Sequence, residues 1–140
     1  MPTNTQPPNP LASHWQAGGW YGSQLGGTAW LFVSALVISA KSPSSAAVLL
    51  ACGLAANLVG TLLWAQRARL DPYRALQVLV AAIVVAGAVA TRWLELRGEF
   101  GLLDPRVGPH TLYVLLAVLW LGLAAVFAFK GRAARKAAAA

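Results

Sequence analysis

The sequence predicts an all-α integral membrane protein, an antiparallel bundle of four transmembrane helices with both termini cytoplasmic. Three observations carry that expectation. Four apolar stretches run from Gly22 to Ala40, Ser45 to Gln66, Arg74 to Thr91 and Thr111 to Phe129, and only Arg74, at an edge, is charged. Each stretch is close to the roughly 20 residues that, at about 1.5 Å per residue, cross a hydrocarbon core about 30 Å thick. The composition is 58% hydrophobic and 11% charged, whereas soluble domains carry about 25% charged residues. Lipid is the expected solvent. Finally, the first two connections are so short that they force antiparallel neighbours.

Taken in order, residues 1–21 read as a flexible segment with interfacial aromatics. Its opening, Met1 to Pro10, has no basic n-region, so the first span reads as a retained helix rather than an export signal. Five glycines between Gly18 and Gly27 oppose helix formation, because glycine costs about 1 kcal/mol relative to alanine inside a helix. An irregular approach is therefore expected as far as Gly22, with Trp15, Trp20 and Tyr21 as headgroup anchors. The 22–129 region is the transmembrane domain. Lys41 to Ser44 makes a tight turn in which Pro43 stops the flanking helices. Asp71-Pro72 is placed to start the third helix, which is expected to continue past the membrane to Arg97 and end at Gly98. The segment from Arg92 to His110 is the longest loop and holds three of the four acids, Glu95, Glu99 and Asp104. Residues 130–140 form a basic tail.

Net charge is +7, but the cations sit between and after the apolar segments, which suits membrane orientation rather than nucleic acid. Arg67, Arg69, Arg74, Lys130, Arg132, Arg135 and Lys136 fall on the side of the termini, against Lys41, Arg92, Arg97 and Arg106 opposite. Seven against four places both termini in the cytoplasm by the positive-inside rule, with anionic lipid expected near the basic inner loop and tail. Brevity and richness in Ala, Gly, Leu and Arg point to a bacterial inner membrane.

Candidate functional residues fall mainly in the first two spans. Gly22, Ser23, Gly26 and Gly27 on the first, with Cys52, Ala56 and Gly60 on the second, form small-residue faces on which helices approach closely in lipid. They suggest a homo-oligomer or a larger membrane complex. Asn57 lies near the middle of its span, where an unpaired amide is most costly; depth matching makes Ser34 its best intrachain partner. Thr28, Trp30, Ser34, Asn57, Thr61 and Trp120 together mark an intramembrane polar or ligand site. Trp30 and Trp120, both deep in the membrane, are expected to pack together and close the bundle.

Catalytic chemistry finds little support. The lone Cys52 excludes a disulfide within one chain and is expected as a packing residue. His14 and His110 fall on opposite sides of the membrane, so no shared metal site is expected, and no cofactor motif occurs. No acid or histidine reaches Cys52 or Ser34 as a base, and no lysine follows the glycines as a phosphate loop requires. Glu95, Glu99 and His110 form the single ionisable cluster, at the outer face. In size and span count the chain is similar to the small multidrug exporters, which depend on a carboxylate inside the first helix. This first helix offers Gln24 and Thr28 instead, so the resemblance stops at the residue that carries the chemistry. The expected function is a non-enzymatic accessory, scaffold or self-assembling membrane subunit. The alternative is an oligomeric channel or carrier for a small neutral solute or ion, with a path near Asn57 and Ser34.

Overall fold

The computed structural model describes residues 16–103 and 108–138, with side chains as far as residue 122 and at residue 125. It is all-helical: α1 (Ala17–Ile38), α2 (Pro43–Ala65), α3 (Pro72–Leu96) and α4 (Pro109–Ala138), with a 3-10 turn at Phe100–Leu102. No strand occurs among the described residues. His14, Trp15, Asp104 and Arg106 lie outside them.

Each terminus has a local cause. Asp71 caps α3 through Oδ1, which accepts from Tyr73 N at 2.9 Å and Arg74 N at 3.1 Å, and Pro72 occupies the first helical position, where no N–H is needed. Pro43 does the same for α2. At the far end of α3, Gly98 adopts φ 64°, a left-handed conformation that glycine reaches without a Cβ clash. Gly98 N then donates to Glu95 O at 3.0 Å and Glu99 N to Leu94 O at 2.9 Å, the paired bonds of a Schellman cap. This stop matches the sequence expectation at Arg97–Gly98.

The start of α1 differs from expectation. The helix begins at Ala17, so Gly18 to Gly22 are helical rather than an irregular approach. Tertiary contacts explain the override: Trp20 is 6% exposed, packed against α2, and its Nε1 donates to Gly60 O at 3.2 Å. Burying an indole outweighs the glycine penalty of one helical turn. The helix of α4 likewise runs on past Phe129 to Ala138.

Sequential helices pack on one another, and α1 also reaches α3, so α1 to α3 form the core with α4 laid against α3. One apolar cluster, built on Leu31, Ile38, Leu49 and Leu94 with Phe100 from the loop, fills the end near the α1–α2 turn. A second, built on Trp20, Ala56, Leu79 and Ile83, fills the opposite end. Four glycines let side chains of neighbouring helices reach the backbone: Gly27 meets Ile83, Gly53 meets Phe32, Gly60 meets Gln24, and Gly87 meets Leu116 and Trp30. Two helices, α2 and α3, are long and apolar enough to cross a bilayer. The first half of α1 carries five glycines, Ser23 and Gln24, which dilute its apolar character, and the described apolar part of α4 is the shorter Pro109–Gly122.

Candidate functional site: a polar clamp between the first two helices

The buried face of α1 runs Trp20, Gln24, Thr28, Leu31, Ala35, Ile38, a spacing of three and four that keeps one stripe against the bundle. Gln24 and Thr28 therefore sit inside, between the two apolar clusters, at 3% and 0% exposure. Opposite them α2 presents Gly53, Asn57, Gly60 and Thr61. Asn57 Nδ2 donates to Thr28 Oγ1 at 2.7 Å and to Gly53 O at 2.8 Å. Gln24 Nε2 donates to Asn57 O at 2.8 Å, to Asn57 Oδ1 at 3.1 Å and, weakly, to Thr61 Oγ1 at 3.4 Å. The hydroxyls finish the network within their own helices, Thr28 Oγ1 to Gln24 O at 2.9 Å and Thr61 Oγ1 to Asn57 O at 2.9 Å.

Gly60 makes this arrangement possible. A Cβ there would stand 2.6 Å from both Cδ and Oε1 of Gln24, so only glycine leaves room for the amide to lie flat on α2. Gln24 Oε1 itself is buried without a hydrogen-bond donor, as is Thr91 Oγ1. An unmet buried acceptor is costly. Its persistence here follows from orientation: turning the amide over would set Oε1 against the Asn57 carbonyl and lose every donation Gln24 makes.

The sequence placed Asn57, Thr28 and Thr61 in a polar site, and the structure joins all three. It gives Asn57 to Thr28 and Gln24 rather than to Ser34, which lies farther along α1. Gln24, which sequence reasoning noted only as a poor substitute for a carboxylate, makes as many interhelical hydrogen bonds as Asn57, three each. The signal was available: Gln24 and Thr28 on α1, like Asn57 and Thr61 on α2, stand four apart, the spacing that places both on one helical face. The expected Trp30–Trp120 pair is not formed. Trp30 lies against Gly87 and the first apolar cluster, whereas Trp120 is 52% exposed on the outside of α4.

The small-residue faces divide in two. Gly27, Cys52, Ala56 and Gly60 pack inside the bundle. A Cβ at Gly18, Gly22 or Gly26 would meet nothing within 4 Å, and with exposed Ser23 these residues face outward.

The expected ionisable cluster of Glu95, Glu99 and His110 is also split. Glu95 accepts from Arg92 NH1 at 2.8 Å and from Tyr113 OH at 3.4 Å, and the charge of His110 reaches it from the start of α4. Glu99 lies apart, turned back by Gly98 over the α1–α2 turn. Arg97 Nε donates to Glu99 Oε1 at 3.0 Å. The hydroxyl of Ser45, then Arg97 and the hydroxyl of Ser42, hold the Glu99 carboxyl below the usual carboxylate range. Trp93 Nε1 donates to Ser45 Oγ at 3.0 Å, so Trp93, near the end of α3, ties that helix to α2. No group of three or more His, Cys, Asp or Glu able to hold a metal occurs among the described residues. In comparison with known proteins no family model, curated protein or solved structure matches the chain.

Proposed function

We propose that this chain is a four-span membrane bundle that acts through helix packing, as an accessory, scaffold or self-assembling subunit, rather than through catalysis. The observation that carries this reading is an inverted distribution of polarity. Gln24, Thr28, Ser45 and Thr91 are buried, while Leu25, Leu36, Leu54, Leu58, Val85, Val118 and Leu121 are among the large apolar residues left outside. Only 28% of the most apolar window of α2 and 44% of that of α3 is buried within the bundle; an apolar helix of a soluble protein would be mostly covered. Lipid is the solvent that makes such a surface stable, and the cation bias places both termini in the cytoplasm. A bacterial inner membrane remains our assignment on composition alone.

Self-association is supported by the outward stripe Gly18, Gly22, Gly26. Spacing of four on an open helix face lets two backbones approach closely in lipid. Mass measurement of the chain in lipid nanodiscs tests this directly. A wild-type dimer or higher assembly that falls to one chain in Gly22→Leu/Gly26→Leu, with helicity kept, supports the reading; a monomeric wild type, or an unchanged mass in the variant, removes it. Flotation with vesicles and resistance to carbonate extraction test the membrane assignment separately. The transport alternative needs a water path at Asn57. Its amide is already committed to Thr28, Gln24 and Gly53, which favours the packing role. Cysteine labelling at positions 57 and 34 from the aqueous phase would reverse that preference.

A further inference from the structure

The two ends of the bundle handle their arginines differently. At the end of α3, Arg92 pairs with Glu95 at 2.8 Å and Arg97 with Glu99 at 3.0 Å. At the α2–α3 turn, Arg67, Arg69 and Arg74 are all exposed, and none forms an ion pair with a described carboxylate. The acid between them, Asp71, uses Oδ1 to cap α3. Beside Arg67 stands an aromatic shelf. Trp64 lies 6.2 Å from Trp20 and 5.4 Å from Tyr21, centroid to centroid. The Arg67 guanidinium sits 5.0 Å above the Trp64 ring, with NH1 donating to Trp64 O at 3.3 Å.

We propose that the α2–α3 turn, with Arg67, Arg69 and Arg74 and the Trp20–Tyr21–Trp64 shelf beside Arg67, is a binding site for the phosphate headgroup of an anionic phospholipid. The proposal rests on the membrane reading above and deepens the expected contact with anionic lipid by naming the phosphate as the group held and the side chains that hold it. Indole and phenol rings settle at the headgroup level of a bilayer, so the shelf fixes the depth of this rim where phosphodiesters lie. Guanidinium forks match phosphate oxygens with paired hydrogen bonds. Stacking on Trp64 restrains Arg67 in advance, which lowers the ordering cost of gripping a headgroup. Anionic lipid concentrates at the cytoplasmic leaflet, the side to which the cation bias assigns this turn.

The full chain is reconstituted in nanodiscs of equal parts phosphatidylcholine and phosphatidylglycerol, released into mild detergent, and its retained lipids counted by native mass spectrometry. Wild type is expected to retain phosphatidylglycerol preferentially. Arg67→Gln/Arg69→Gln/Arg74→Gln is expected to lose that preference by about tenfold or more, while Lys41→Gln/Arg92→Gln, at the other end, keeps it. Arg69→Gln alone, at a side chain with no described partner, is expected to lose part of it with no change in helicity. Equal retention of the two lipids by wild type, unchanged preference in the triple variant, or displacement of phosphatidylglycerol by excess inorganic phosphate would each overturn the proposal. A chain that fails to float with vesicles would instead overturn the membrane reading itself.

Discussion

Replacing Asn57 with leucine keeps the branched outline of the side chain and deletes both polar atoms, so it isolates what the amide does for the α1–α2 pair. Two interhelical hydrogen bonds disappear, Asn57 Nδ2 to Thr28 Oγ1 at 2.7 Å and Gln24 Nε2 to Asn57 Oδ1 at 3.1 Å. Gln24 keeps the backbone carbonyl of residue 57 at 2.8 Å, so the helices stay docked. Interhelical hydrogen bonds in membrane proteins average about 0.6 kcal/mol each, which makes the expected loss roughly 1 kcal/mol. On the proposed membrane reading leucine recovers little of it, because an apolar side chain gains almost nothing on moving from lipid into protein. A cycle with Thr28→Val, which removes the acceptor at constant shape, extracts the single pair. The assay is reversible unfolding by sodium dodecyl sulfate from bicelles, followed by helicity. A coupling near 0.6 kcal/mol is expected, with Ser34→Ala nearly neutral. A coupling within about 0.2 kcal/mol of zero, or an Asn57→Leu chain more stable than wild type, would refute the clamp.

The other expectations concern close approaches and one carboxylate. Gly60→Ala sets a Cβ 2.6 Å from Gln24 Cδ; the amide must leave its acceptors on α2, so the same assay should register a loss of about 1 kcal/mol despite the better helix former. Gly87→Val brings a Cβ within 2.8 Å of Leu116 and 3.3 Å of Trp30 and should cost about 1–3 kcal/mol by overpacking. A disulfide engineered between α3 and α4 should then form more slowly than in an otherwise wild-type chain. For Glu99 the folded-state pKa is lowered, so its contribution is present above the unfolded value of about 4.3 and fades as pH falls through the lower folded value. Unfolding measured from neutral to acid pH should show wild type more stable than Glu99→Gln at neutrality, with the difference closing in acid; a gap independent of pH would contradict the assignment.

Some of the fold was legible because its causes are local. Asp71-Pro72 announces a helix start through a cap and a missing donor. Gly98 announces a helix end through its tolerance of positive φ. Both features appear where the residues alone required them. The N-terminal turn of α1 was not legible, because glycine content argues against helix there and the opposing contribution, Trp20 seated on Gly60, comes from a residue 40 positions away. Nor could sequence distinguish the glycines that stay open, such as Gly22 and Gly26, from those filled by a neighbour, such as Gly60 and Gly87. All four present the same small side of a helix.

By itself the sequence determined the helical composition, the capped start of α3 at Asp71-Pro72 and its end at Gly98, and the excess of apolar over charged residues. Those properties are sums over single residues or over neighbours three and four apart, so periodicity and capping suffice to fix them. Tertiary structure decided which polar groups meet. Depth along a span is a one-dimensional coordinate, and it placed Asn57 opposite Ser34. The actual pairing depends also on helix rotation and axial offset, which Gly53 and Gly60 set by letting Phe32 and Gln24 press into α2. That offset brings Gln24 and Thr28 to Asn57, and leaves Gly22, Gly26 and the arginines of the α2–α3 turn facing outward.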